Sequence, residues 1–387
     1  MAASNYDSRK RSRNDEDQEQ TPSKKQILEG GSALDSILLP NKALLPAADN
    51  EDFRVITGTY ERILYGINAY WEKNADDDNG SAYKIRMEPV FIVPAHIGCI
   101  RTVAIGGHFL ASGSTDEIIR LYDVKKRKEY GSLGGQHTGD ITDIQFHGKY
   151  MLTGSEDKMI CLWRTKDWEY LKTLKGHKGK VNSIAIHPSG KIALSVSSDK
   201  TVIVWNLMTA KKASMNKVGQ EGLCVLWNNE GDKYAIMFDR SVNIYTVSDA
   251  SVSTTISHHS RFLCMRYYTS RKKDKSYIVT GHEDRTARVW DAETGDCVAE
   301  LAGHKLRVKT LSIMVSKPQS SKESIPVLIT VSSDGVIKCW DLEAALDKKQ
   351  VVLGGYNTKS RVTCCTSHIG FHSSADSSEK DADAKAT

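Results

Sequence analysis

The chain has 387 residues, 40% hydrophobic and 26% charged, an ordinary folded composition long enough for two average domains or one large repeat domain. No apolar run approaches the roughly 18 residues of a membrane span, and the opening MAASNYDSRKRSRNDEDQEQ is polar throughout, so a soluble, intracellular protein is expected. Residues 1–50 carry 7 Lys/Arg against 8 Asp/Glu and residues 371–387 carry 2 against 4, so the net +5 becomes +8 on 51–370, an excess that suits acidic partners such as RNA or acidic protein surfaces.

In chain order, residues 1–50 read as a tail. Positions 1–33 are too poor in apolar side chains to offset their chain entropy, and the expectation is disorder. The clusters Arg9, Lys10, Arg11, Arg13 and Lys24, Lys25 resemble a bipartite nuclear-import signal. Residues 34–47 (ALDSILLPNKALLP) are apolar enough to dock on a folded domain. The stretch 371–387 again lacks a core and is expected to be disordered.

Between the tails one pattern recurs six times: SGSTDEIIRLYD, TGSEDKMICLWR, SVSSDKTVIVWN, AIMFDRSVNIYT, TGHEDRTARVWD and TVSSDGVIKCWD. The Asp stands at 116, 157, 199, 239, 284 and 334, and six residues after each comes Tyr122, Trp163, Trp205, Tyr245, Trp290 or Trp340. The aromatic residues are spaced by 41, 42, 40, 45 and 50 residues, the period of four-stranded propeller blades. Apolar and polar residues alternate around each Asp, which predicts two strands joined by a turn where a short carboxylate accepts backbone N–H groups. His96, His137, His177, His258 and His304 each stand four residues before a further apolar strand.

These units resemble WD40 repeats, over roughly residues 53–370. The resemblance implies a buried network in each blade that joins an imidazole, a strand hydroxyl, the turn Asp and the Trp. Carried onto this sequence, the sets are His137/Thr153/Asp157/Trp163, His177/Ser195/Asp199/Trp205, His258/Thr280/Asp284/Trp290 and His304/Thr330/Asp334/Trp340, with Tyr122 closing His96/Ser112/Asp116. GTYERILYGI (58–67) is the same turn weakened, with Glu61 for Asp, and it lacks an upstream strand. SRVTCCTSH (360–368) supplies a strand with no turn after it. Together they predict an all-β, seven-bladed propeller over 51–370 whose first blade is completed by the C-terminal strand.

The sets recur with the fold period, as a catalytic site would not, and no phosphate-binding, zinc-protease or nucleophile-elbow motif is present. His258 and His259 could together hold a metal, but His258 already has a place in the network, and Cys364-Cys365 read as small core residues. A non-enzyme without cofactor or metal is expected. Residues just before the inner strands point to the top face, and there Lys180, Arg261, Arg307 and Arg361 make a candidate anion-binding surface. The loops 74–82, 270–276 and 316–325 read as passive polar insertions.

The stretches 58–67, 176–207 and 331–342 and the strand 360–368 resemble one WD40 subfamily, that of PAK-interacting protein 1 and the fungal maintenance-of-killer protein. This resemblance implies a nucleolar scaffold for the large ribosomal subunit that binds a ribosomal-like protein on pre-60S particles, with contact to pre-rRNA a further implication. The alternative it implies is an adapter that binds and restrains a p21-activated kinase. A ubiquitin-ligase substrate receptor would carry Arg two residues after Trp-Asp, where this chain has Glu293 and Glu343.

Overall fold

The computed structural model describes residues 51–74, 81–318, 321 and 323–370, within which 28 strands form seven four-stranded sheets. The readings of residues 1–50 and 371–387, including both basic clusters, lie outside the described residues. The innermost strands touch in a closed cycle around one axis, so the molecule is a seven-bladed all-β propeller. In blades 2 to 7 these strands begin at Ile100, Ile141, Val181, Cys224, Phe262 and Val308.

Blade 1 is assembled from both ends of the described chain. Phe53–Thr59, Ile63–Lys73 and Tyr83–Pro94 follow one another, and Val362–Ile369 adds the innermost strand, with Phe53 opposite Ile369 and Thr59 opposite Val362. One face of this blade packs Phe53, Val55 and Ile67 with Val327, Ile329 and Val331 of blade 7. The other packs Ile56 and Leu64 with Ile100 and Leu110 of blade 2. Apolar side chains on both faces therefore force closure, because an open ring would expose both layers together with a sheet edge.

The turn between second and third strands repeats with the sequence motif. Asp116, Asp157, Asp199 and Asp334 accept the N–H of the residue two further on, at 2.8–3.1 Å. The residue after each acid is left-handed, from Lys200 (φ 62) to Gly335 (φ 84), a conformation that costs a non-glycine residue about 1–3 kcal/mol. The carboxylate bonds offset that cost. Arg62, after Glu61, has φ 71, so the weakened first turn keeps the same backbone.

At the aromatic position the third strand slips register against the outermost one, between Leu162 and Trp163 for example, and equivalently in six of the blades. One departure from the all-β pattern has a local cause. Leu342–Leu346 forms a single helical turn, because Asp341 caps the Ala344 N–H at 3.0 Å and Leu342, Ala345 and Leu346 are buried. The insertion 270–276 lengthens the two strands it connects (Phe262–Ser270, Lys275–His282) around a turn at 271–274.

Candidate functional site

Each network starts from a hydroxyl on the second strand that is fully buried: Ser112, Thr153, Ser195, Thr280 and Thr330 are all 0% exposed. In blade 3, Trp163 Nε1 donates to Thr153 Oγ1 (3.0 Å), and the same hydroxyl meets His137 Nε2 (2.9 Å). An indole can only donate, so the hydroxyl accepts there and has a second lone pair and its proton left for the imidazole. Asp157 Oδ2, a carboxylate oxygen that can only accept, lies 2.8 Å from Nδ1, so Nδ1 donates to it. Blade 4 repeats this with Trp205, Ser195, His177 and Asp199 at 2.8, 2.7 and 3.1 Å. Blade 2 keeps the His96–Ser112 (2.7 Å) and His96–Asp116 (3.0 Å) links, but the Tyr122 hydroxyl that replaces the indole is buried without a hydrogen-bond partner among the described residues, so it does not close the set. These hydroxyls have no route to solvent and cannot attack a substrate, so the His–Asp–Ser sets are architectural.

Two further sets differ from the sequence expectation. In blade 6, His258 does not reach Thr280. His282 takes its place, with Nε2 2.8 Å from Thr280 Oγ1, while Trp290 donates to that hydroxyl at 2.7 Å. His258 instead accepts the Ser260 N–H (3.1 Å). Asp284 accepts from Thr286 Oγ1 (2.6 Å) and Arg288 Nη1 (2.8 Å) rather than from an imidazole. The signal was present: in TGHED the histidine stands two residues after the hydroxyl, on the same face of the strand. In blade 7, His304 Nε2 meets Thr330 (2.7 Å) and Trp340 donates to it (2.8 Å), but Asp334 does not close the set. His304 Nδ1 is buried without a partner among the described residues.

The electrostatics follow these contacts. Burial opposes charge on His137, but the hydrogen bond to the Asp157 carboxylate outweighs it and the imidazole is raised to about 9. His177, in similar geometry, is lowered, because burial dominates and Lys212 repels the charged ring. His304, with no acid on Nδ1, is pushed down to about 4 by burial and Lys338. His282 falls to about 3 through burial and Arg288.

His258, His259 and Asp284 bring three potential metal-ligating atoms within 4.8 Å of one another. The surroundings do not suit an ion. Both Asp284 oxygens already accept bonds, one from a guanidinium, and the Ser260 N–H occupies His258 Nδ1.

The four top-face cations separate into different environments. Lys180 is half-buried, with Nζ 4.0 Å from Glu156 Oε1. Arg261 is exposed, but its Nε donates to Asp239 Oδ1 at 2.6 Å. Arg307 and Arg361 come together in one open depression, which Glu283, Arg285, Leu306 and Ser333 complete. Arg307 Nε donates to Ser333 Oγ (3.1 Å), and the Arg361 guanidinium lies over the Tyr60 ring at 5.1 Å. Leu306 and Tyr60 were not singled out in the sequence. Leu306 stands two residues after its histidine, where blades 2, 3 and 4 have Gly98, Gly139 and Gly179, and that contrast was readable.

A WD domain, G-beta repeat pattern matches residues 87–123, 128–164, 168–206, 250–291 and 295–341. The p21-activated protein kinase-interacting protein 1-like of Danio rerio is 36% identical over 314 residues, 81% of this chain and 80% of that protein. Protein MAK11 of Saccharomyces cerevisiae is 32% identical over 358 residues, 82% and 83% of the two chains. This chain is a WD40-repeat protein of that subfamily. The human p21-activated protein kinase-interacting protein 1 is similar too, 33% identical over 310 residues, 80% of this chain and 76% of that one. The pattern passes over residues 207–249, where Ala235 replaces the strand hydroxyl and no Gly-His precedes blade 5, yet the structure forms four strands there. WD40 proteins of this kind are scaffolds that bind protein partners through the surfaces of a rigid ring.

Proposed function

We propose that the protein is a non-enzymatic nucleolar scaffold in large ribosomal subunit assembly, holding a ribosomal-like protein on pre-60S particles through its top face. The observation that carries this reading is the similarity to MAK11 along 82% of the chain, together with the motifs shared with the maintenance-of-killer subfamily. Charge supports the choice of face, since Arg307 and Arg361 share one depression and together would attract an acidic surface. Contact with pre-rRNA belongs to the same reading. Arg9, Lys10, Arg11, Arg13, Lys24 and Lys25 would direct nuclear entry.

The test is sucrose-gradient sedimentation of the tagged full chain alongside imaging of its location. Co-sedimentation with large-subunit precursors and nucleolar signal are expected, and both should be lost when Arg261, Arg307 and Arg361 are changed to Glu. Retention of the triple variant on precursors, with an unchanged melting temperature, overturns the assignment of the face. Ala at positions 9, 10, 11 and 13 should shift the protein to the cytoplasm. The second reading, binding to a p21-activated kinase, is favoured by the names of the Danio and human relatives. It predicts capture of the kinase regulatory domain by the purified chain and cortical rather than nucleolar signal.

A further inference from the structure

Several guanidinium groups on this surface are already neutralised. Arg120, Arg164, Arg261 and Arg288 each hold a carboxylate oxygen at 2.6–2.8 Å. The three arginines of the top depression differ. Among the described residues no carboxylate pairs with the guanidinium of Arg285, Arg307 or Arg361, and the lining carries one acid, Glu283, against these three cations. Two of them are also pre-oriented. Ser333 fixes Arg307 through Nε, and Tyr60 supports Arg361 from one face, so both leave Nη donors for an incoming acceptor. A guanidinium held in place loses less side-chain entropy on binding than a free one.

Beside these donors the surface carries two exposed apolar side chains. Leu306 is 50% exposed and lines the depression, and Tyr60, under Arg361, is 57% exposed. An exposed leucine among unpaired arginines marks a ligand that brings both a carboxylate and an apolar side chain. Glu283 in the lining and Glu61, which accepts the Arg361 N–H at 3.0 Å, set negative charge beside the cations. A continuous phosphodiester chain would meet repulsion at these points, whereas a peptide can place its carboxylates between them.

We propose that the depression formed by Arg285, Leu306, Arg307 and Arg361, with Tyr60 at its edge, binds an acidic peptide segment in which an aliphatic or aromatic side chain adjoins the carboxylates. The Arg307 and Arg361 Nη groups take the carboxylates, and Leu306 and Tyr60 receive the apolar side chain. This rests on the reading of the top face as the binding face and names the chemistry recognised there.

The probe is a fluorescein-labelled twelve-residue peptide with four glutamates flanking one leucine, titrated with the full chain by fluorescence anisotropy. Saturable binding that weakens with salt is expected, with at least about a tenfold loss for R307E or R361E and about a tenfold loss for L306S. R127E, an exposed arginine with no part in the depression, should bind as the parent does. Equal binding by parent, R307E and R361E overturns the proposal. So does tighter binding of a twelve-nucleotide oligouridylate lost in the same variants, which would assign the site to RNA. Because the titration is independent of the ribosome, a parent chain that co-sediments with precursors but does not bind the peptide refutes this inference alone, and a parent chain that binds the peptide but does not co-sediment refutes the assembly reading alone.

Discussion

Arg54 lies on the second strand of the split blade and is 2% exposed, with its guanidinium tied to three parts of the chain. Nη2 meets Glu51 Oε1 (2.6 Å), Nε donates to Asn68 Oδ1 (2.8 Å) on the neighbouring strand, and Nη1 donates to the Val124 carbonyl (3.2 Å) of blade 2. Changing Arg54 to Met keeps the length and apolar stem of the side chain but strands the Glu51 carboxylate, itself 2% exposed. Breaking a buried pair on one side costs about 3–5 kcal/mol, mostly from the orphaned charge. At about 2 °C per kcal/mol for a chain of this size, the melting temperature should fall by roughly 6–10 °C. The double variant Glu51→Gln/Arg54→Met removes both charges and should recover at least half of that loss. Calorimetry and urea unfolding of the two variants and the parent provide the assay. A double variant as unstable as Arg54→Met would refute the reasoning, because the loss would then come from the Val124 and Asn68 bonds rather than from a stranded charge.

Other consequences are open to the same measurements. Thr153→Val leaves Trp163 Nε1 and His137 Nε2 without their shared partner and should cost about 2–5 kcal/mol, against little for a hydroxyl on the exposed surface. A chain ending at residue 355 lacks the strand Val362–Ile369 and exposes the edge of Phe53–Thr59, so it should aggregate, while one ending at 371 should melt as the parent does. Acid should destabilise the fold early. His282 and His304 have folded pKa values of about 3 and about 4, below the unfolded value, so the unfolded chain binds more protons and stability falls as pH drops below about 6.5. Each contributes a loss of about 2 kcal/mol by pH 5, and His304→Gln should flatten the slope of melting temperature against pH. His137, raised to about 9, acts oppositely and contributes stability that is lost as pH rises towards that value.

The number of blades and the way they close were legible because both are properties of local spacing. An Asp at a hairpin turn, an aromatic six residues later and a period near 40 residues describe one supersecondary unit, and the unit cannot bury its two faces alone. A seventh unit lacking its first strand, and a strand at the far end lacking a turn, leave a single topology. The short helix at Leu342–Leu346 was not expected, since a five-residue turn depends on the cap at Asp341 and on burial against blade 6 rather than on a long apolar period.

Which imidazole serves each hydroxyl was decided by tertiary structure. His258 has the right offset from its strand, but His282, two residues from Thr280 on the same face of its own strand, occupies the hydroxyl instead. The same holds for the top depression. Arg285, Leu306, Arg307, Arg361 and Tyr60 are scattered from one end of the propeller to the other, and only closure of blade 1 by the last strand puts Arg361 over Tyr60 and beside Arg307. Spacing along a chain sets the backbone period, because the ladders and turns that create it are local. The partner of a side chain depends on which neighbours the closed ring brings within about 3 Å, and that is a property of the whole fold.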